Sequence, residues 1–110
     1  MDVEPLLEAL SRSPDLAPFG ELVVPLLVYD RKRRGDLVRT LRVYLATGAN
    51  ASEAADRLFL HRNSLLYRLA RIGELTGLDL KDPQVRLALQ LGLLVVEDGE
   101  RSLDDETKYP

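Results

Sequence analysis

The sequence predicts an all-α domain, a compact bundle of about five or six helices. Leu, Ala and Val supply most of the apolar content while aromatic residues make up only 5%, a mixture that suits helices better than strands. Apolar residues also recur at helical spacing between residues that begin and end helices. At 110 residues, the chain fits one domain with a sizeable core.

Composition excludes several classes of function. The chain has no cysteine and a single histidine, His61, so neither a disulfide framework, a thiolate metal site nor an imidazole cluster is expected. The sequence also shows no paired carboxylates in a plausible pocket, no phosphate-binding glycine loop and no nucleophile with a base, which argues against an enzyme and against a cofactor. No apolar run reaches the roughly 18 residues of a membrane helix, and the amino terminus is acidic where a signal peptide is basic. A cytoplasmic protein is therefore expected.

Charged side chains are segregated along the chain. Residues 1–30 carry a net charge of −5, residues 31–71 a net charge of +7, and residues 72–110 a net charge of −5. The overall charge of −3, taken alone, argues against a nucleic-acid partner. A basic segment between two acidic ones can nevertheless orient a polyanion on one part of the molecule.

The first third of the chain predicts two helices. Residues 1–20 predict a helix of about two turns followed by a proline-containing loop. A second helix is expected over residues 24–33, with Pro25 near its start and Gly35 at its stop. The basic run 31–34 at its end has two interpretations. It can clamp phosphates, but the favoured interpretation is that it lies in solvent and complements the helix dipole.

The next helix is predicted to begin at Asp36 as N-cap and to end at Thr47-Gly48, where glycine can adopt the left-handed conformation. Its apolar residues lie at positions i, i+4, i+7 and i+8, which places them on one face of the helix. They are Leu37, Leu41, Tyr44 and Leu45.

Two helices joined by a tight turn follow. Asn50 is predicted to cap a helix over residues 51–58, with Glu53 completing a capping box, and the small pair Ala54-Ala55 allows another helix to cross closely. The second helix, residues 62–76, is closed by Gly77. Its buried stripe is predicted to contain Leu65, Leu69, Ile72 and Leu75 or Thr76. This pattern predicts a helix-turn-helix.

The last predicted helix, over residues 83–97, begins at Asp82-Pro83. Apolar residues occupy nearly the whole circumference of this helix. Either the helix is central to the core or one of its faces meets another subunit. A homodimer is expected. The predicted domains are an amino-terminal helix and loop, 1–20, a helix-turn-helix domain, 21–97, and a disordered acidic tail, 98–110.

The start of the second helix of the motif carries the donors that base reading requires. Arginine can bond to guanine and asparagine to adenine, while serine or histidine can bond to a base edge or a phosphate. The predicted DNA-contacting residues are His61, Arg62, Asn63, Ser64, Tyr67 and Arg71. Taken one at a time, His61, Asn63 and Ser64 are equally well explained as helix caps, and Tyr67 as a packing residue. Arg68 is expected to bond to Asp56 or another acid at least as readily as to DNA.

Together these features favour duplex DNA as the partner, with the helix at about 62–76 in the major groove. The alternative is a helical protein-interaction module that docks an acidic partner through the basic segment 31–71. Loss of DNA affinity with rising salt distinguishes the two.

A long, ordered set of residues between Thr40 and Leu94 also matches a known family. The set contains Asn50 with Ala54-Ala55, the run His61-Arg62-Asn63-Ser64-Leu65-Leu66-Tyr67-Arg68-Leu69, the run Glu74-Leu75-Thr76-Gly77-Leu78-Asp79-Leu80, and Asp82-Pro83. In these residues the chain resembles the carboxy-terminal helix-turn-helix domain of PucR-type transcriptional regulators, which include purine-catabolism and sugar-diacid regulators.

The resemblance implies a Fis-like, DNA-binding, transcription-regulating domain. It further implies that upstream sensory domains are missing from this sequence, and that His61 to Ser64 contact DNA with support from Tyr67 and Arg71. Two positions depart from the family pattern. Leu66 stands where a basic residue is common, and Gly73 stands where glutamate is common. A mid-helix glycine costs about 1 kcal/mol relative to alanine.

Overall fold

The computed structural model describes the backbone of residues 2–107 and the side chains of residues 2–96. The predicted all-α class is confirmed, and seven α-helices lie within the described backbone, one more than the upper end of the predicted five or six. They are α1 (Glu4–Ser11), α2 (Ala17–Glu21), α3 (Val24–Arg33), α4 (Leu37–Ala46), α5 (Ala51–Arg57), α6 (Arg62–Thr76) and α7 (Pro83–Thr107), with a 3-10 turn (Pro14–Leu16) before α2.

The prediction of a loop between α1 and α3 was wrong. Residues 14–16 form the 3-10 turn and α2 begins at Ala17. Pro14 and Pro18 each lie in the first two positions of an element, where the missing amide hydrogen has no helical partner to lose. Both prolines therefore begin helical structure instead of preventing it.

The turn between α3 and α4 also differs from the prediction. Arg34, with φ 50° and ψ 41°, takes the left-handed conformation that ends α3, in the place expected for Gly35. Asp36 stands at the N-cap position of α4, but its side chain makes no capping hydrogen bond. The Asp30 carboxylate accepts instead from the backbone amides of Leu37 at 2.8 Å and Val38 at 3.0 Å. A carboxylate seven residues upstream thus caps α4.

Two clusters of buried side chains form the core. The main cluster joins α3, α4, α6 and α7, and it is built from Val23, Leu26, Leu37, Val38, Leu41, Leu45, Ile72, Leu80, Leu89 and Leu93. The smaller cluster joins α5 to α6 through Ala54, Ala55, Leu58 and Leu65. Tyr44 and Leu69 pack against both clusters. The helix-turn-helix is therefore attached to the rest of the fold through α4 and α6.

The long helix α7 is central to the core, the first of its two predicted alternatives. It contacts α1, α2 and α4. A Cβ at Gly92 would collide with the carbonyl oxygen of Phe19 in α2 and lie 2.9 Å from Val23 Cγ2. The closeness of α2 accounts for apolar positions on α7 that a single buried face leaves unexplained, although Leu87 remains 57% exposed.

The carboxy-terminal end of α7 extends beyond the prediction. The helix continues to Thr107, past the predicted end at residue 97, and no proline interrupts the segment. The side chains of the predicted acidic tail, and residues 108–110 altogether, lie outside the described residues, so its disorder and the three-domain division stay predictions. None of the helices within the described part is long and apolar enough to cross a membrane.

Candidate nucleic-acid interface

The first helix of the motif, α5, begins as predicted at Asn50. The Asn50 side chain accepts a hydrogen bond from the Glu53 amide at 3.1 Å, which satisfies one of the free amides at a helix start. The Glu53 carboxylate accepts from Arg57 at 2.9 Å, so only the first half of the predicted capping box is confirmed. Ala54 and Ala55 are buried, which brings the α5 backbone close to α6.

The turn between α5 and α6 depends on a left-handed residue. Phe59 has φ 55°, and its amide donates to Asp56 O at 3.2 Å while the Leu60 amide donates to Ala55 O at 2.9 Å. These bonds reverse the chain within a few residues. The Phe59 side chain is 93% exposed, whereas Leu60 packs against the smaller cluster.

The second helix of the motif, α6, has the predicted bounds of residues 62–76. His61 Nδ1 accepts from the Asn63 amide at 3.1 Å and caps the helix. Leu65 and Ile72 are fully buried. Because these two side chains fix one face of α6 in the core, its opposite face and amino-terminal turn point outward.

The outward face carries the predicted contact residues, and all but Arg71 are exposed. Asn63, Ser64, Tyr67 and Arg71 line one cleft of about 560 Å³ between α6 and the α3–α4 turn. Tyr67 is 71% exposed. His61 and Arg62 stand outside that lining, at the exposed amino-terminal end of the helix. Four of the six predicted residues therefore share the cleft, and the other two lie at the amino-terminal end of α6.

Arg71 is half-buried and already has partners. Its guanidinium carbon lies 5.5 Å from the centre of the Tyr29 ring in α3, and its Nη1 donates to the Glu74 carboxylate at 3.0 Å. The hydrogen bond to Glu74, followed by one to Tyr29, raises the pKa of Arg71. The ring and the carboxylate fix this cation beside the cleft.

Arg68 is held inside the molecule, as the sequence allowed, but by an acid other than Asp56. Its Nη1 lies 3.3 Å from Thr40 Oγ1 and 3.7 Å from Asp36 Oδ2. Thr40 is fully buried, and its hydroxyl donates to Asp36 O at 2.7 Å. Arg68 thereby links the outward helix to the start of α4.

Two residues that line this cleft, and one in the turn before α6, were not among the predicted contacts. Tyr29 in α3 and Arg34, the residue that ends α3, line the same cleft as Ser64. Phe59 is the exposed turn residue. Arg34 belongs to the basic run 31–34, for which a solvated helix end was favoured over a phosphate clamp, and only the fold brings it beside α6. For Phe59, the signal available was an aromatic residue within a short turn.

The sequence comparisons agree with this geometry. Residues 37–95 match the model of the PucR C-terminal helix-turn-helix domain, which covers α4 through most of the described part of α7. The purine catabolism regulatory protein of Bacillus subtilis (strain 168) is 40% identical over 92 residues, and the match covers 84% of this chain and 17% of that protein. No solved structure gave a significant match.

Two further relatives are, by name, a transcriptional activator and a regulator. The proline-responsive transcriptional activator PutR of Bacillus subtilis (strain 168) is 32% identical over 92 residues, 83% of this chain and 22% of that protein. The carbohydrate diacid regulator of Escherichia coli (strain K12) is 44% identical over 64 residues, 58% of this chain and 17% of that protein. The chain thus spans about a fifth of the length of these relatives. With its helix-turn-helix and this family match, the chain belongs to the PucR family of carboxy-terminal helix-turn-helix domains.

Proposed function

We propose that this domain binds duplex DNA in a sequence-specific manner as part of a transcriptional regulator, with α6 in the major groove. The observation that carries the proposal is the arrangement of α6. Leu65 and Ile72 are fully buried, while the amino-terminal turn that begins at Arg62 is exposed. An α-helix with its side chains is about as wide as the major groove, so such a turn can reach base edges.

Each exposed side chain at the amino-terminal end of α6 suits a particular contact. Arg62 can donate two hydrogen bonds to guanine O6 and N7, and Asn63 can pair with adenine N6 and N7. Ser64 and His61 can bond to a base edge or a phosphate. Because His61 Nδ1 already accepts from the Asn63 amide, its Nε2 is the atom left to face DNA.

Tyr67 and Arg71 lie one and two turns further along α6 and suit contacts that position the helix. Phosphate contacts set the register of a protein on the duplex, whereas base contacts set its sequence preference. Tyr67 can donate its hydroxyl to a phosphate. Arg71 would approach the backbone with its guanidinium already oriented by Tyr29 and Glu74.

We also propose that the protein acts on DNA as a homodimer. Helix-turn-helix dimers bind two half-sites related by two-fold symmetry. Exposed apolar side chains follow one another along α1, and they are Val3, Leu6, Leu7 and Leu10. A second copy would remove that surface from water. Sedimentation at high concentration, in the presence of a palindromic operator, should give a 2:1 complex. Monomer alone under those conditions contradicts this part of the proposal.

The test of DNA binding uses an operator obtained by selection from random duplexes. The affinity of the parent protein should fall steeply with salt, because binding releases counterions from the duplex. Arg62→Ala should weaken operator binding by about 1–3 kcal/mol and relax the preference at one base position. Arg12→Ala is the matched control, since it removes an equal charge from the amino-terminal elements that pack on α7.

Two results would contradict the proposal, the first for one residue and the second as a whole. The first is parent-like operator binding by the Arg62→Ala variant, which would remove base reading from that residue. The second is the absence of salt-dependent duplex binding by the parent. That outcome would favour the alternative, an acidic protein partner for the basic segment 31–71.

A further inference from the structure

The basic run at the end of α3 is divided between two sides of the molecule. Arg31 lines a cleft between α2, α3 and α7, together with Val95 and Val96. Arg34, three residues later, lines the cleft beside α6, together with Ser64. Arg31 and Arg34 are close in sequence but line different clefts, and only Arg34 faces the proposed DNA-contacting helix.

The backbone at Arg34 is held in its unusual conformation by contacts within the turn. Positive φ is uncommon for a residue with a side chain, and Arg34 has φ 50°. The Gly35 amide donates to Asp30 O at 3.0 Å, and the Asp30 carboxylate holds the Leu37 amide at 2.8 Å. Asp30 thus binds both sides of the turn and fixes the direction from which the Arg34 side chain leaves the backbone.

Arg34 differs from the other two cations of this cleft. Arg68 is engaged by Thr40 and Asp36, and Arg71 by Tyr29 and Glu74. Arg34 is exposed, and among the side chains described here it has no ion-pair or hydrogen-bond partner. Its guanidinium is consequently free to bind an anion without first releasing an internal one.

A helix in the major groove has a phosphate backbone on each side. The groove is about 12 Å wide and a helix with its side chains is about 10–12 Å across, so side chains that border the helix lie close to those phosphates. Arg34 borders α6 on the side of Asn63, Ser64 and Tyr67, the face proposed to meet DNA.

We propose that the α3–α4 turn is a third DNA-contacting element, in which Arg34 binds a backbone phosphate next to the bases read by α6. This inference rests on the proposed function and adds an element outside the two helices of the motif. A contact of this kind increases affinity for every duplex, because a phosphate carries no sequence information directly.

The test compares Arg34→Ala with Arg31→Ala and the parent, on the selected operator and on a mixed-sequence duplex, over a series of salt concentrations. Removing one phosphate contact should lower the magnitude of the slope of log affinity against log salt by about 0.9. Arg34→Ala should show that decrease and lose several-fold in affinity for both duplexes alike. Arg31→Ala should keep the parent slope, and Arg34→Lys should recover most of it, since both residues are charged donors.

Each result of these titrations either supports or overturns the phosphate contact proposed for Arg34. If the parent binds with its steep salt dependence and Arg34→Ala keeps the parent slope, the inference is overturned while the proposed function stands. Equal decreases for Arg34→Ala and Arg31→Ala would also overturn it, because diffuse charge would then suffice. If the parent shows no salt-dependent binding, the proposed function fails and the inference fails with it. A circular-dichroism melting curve for each variant verifies that it is folded.

Discussion

The Asp30 carboxylate, near the end of α3, accepts the backbone amide of Leu37 at 2.8 Å across the turn to α4. Its second oxygen accepts the amide of Val38 at 3.0 Å. One side chain therefore both caps α4 and fixes the distance between two helices of the main cluster. Asp36, directly before α4, interacts instead with Arg39 at 3.3 Å and Arg68 at 3.7 Å.

Removing the Asp30 carboxylate should destabilise the domain more than removing that of Asp36. Asp30→Ala leaves two amides without their acceptor, and loss of a cap costs about 0.5–2 kcal/mol. Asp36→Ala removes solvent-accessible ion pairs, which contribute about 0–1 kcal/mol. Urea denaturation followed by circular dichroism measures both free energies of unfolding. A larger loss for Asp36→Ala would contradict the assignment of the cap.

Two glycines in helices should respond in opposite ways to alanine. At Gly92 the new Cβ would collide with the Phe19 carbonyl oxygen, a backbone atom, and overpacking of this kind costs about 1–3 kcal/mol. At Gly73 the nearest atom is Leu78 O at 3.4 Å, so Gly73→Ala should stabilise α6 by up to about 1 kcal/mol. Melting temperatures should therefore move down for Gly92→Ala and up for Gly73→Ala. A melting temperature that stays the same or rises for Gly92→Ala would refute the close approach of α2 to α7, and one that falls for Gly73→Ala would refute the open space at Gly73.

The capping and DNA-contacting roles of His61 can be separated by substitution. Asn is a good N-cap residue and Ala is a poor one, so His61→Asn should keep the parent stability whereas His61→Ala should lose about 1 kcal/mol. Both variants lack the imidazole proposed to face DNA, and both should bind the operator about tenfold more weakly. Parent-like affinity in a stable His61→Asn variant would restrict His61 to capping.

The turn residue Phe59 should tolerate glycine better than isoleucine. Its side chain is 93% exposed, so truncation loses little packing, and its φ of 55° is a conformation that glycine adopts readily. Phe59→Gly should leave the free energy of unfolding within about 1 kcal/mol of the parent. Phe59→Ile, with a branched Cβ, should be less stable than Phe59→Gly by at least about 1 kcal/mol. Equal stability of the two variants would show that the turn relaxes.

The helices most clearly predictable from sequence were those with signals at both ends. Gly77 has φ 71° and closes α6 as predicted, and Asn50 caps α5 as predicted. Two predictions were wrong, one because a helix is capped by a residue across a turn and one because a proline begins a helix instead of interrupting it. Asp30 caps a helix that it does not adjoin, which local sequence cannot indicate. Pro18 was interpreted as part of a loop although it lies in the first turn of α2.

Less of the candidate interface could be predicted. The exposed donors after His61 followed from helical periodicity, because α6 has one strongly apolar stripe. The position of Arg34 beside α6 could not be predicted from helical periodicity, because it depends on how α3 and α4 pack against α6. The contact of Arg71 with Tyr29 was missed for the same reason, because Tyr29 lies far from it in sequence and reaches it only in the folded chain. Local pattern identifies which face is exposed, and tertiary packing determines which residues from other elements share it.

Tyr44 and Leu69 pack against both buried clusters and so connect the helix-turn-helix to the main cluster. Because the two clusters share these side chains, α5 and α6 are expected to lose their structure only when the main cluster does. The conformational entropy of ordering the reading helix is then lost during folding, before DNA is encountered. Association would carry little additional ordering cost, and α6 together with the α3–α4 turn would meet the duplex as one preorganised surface.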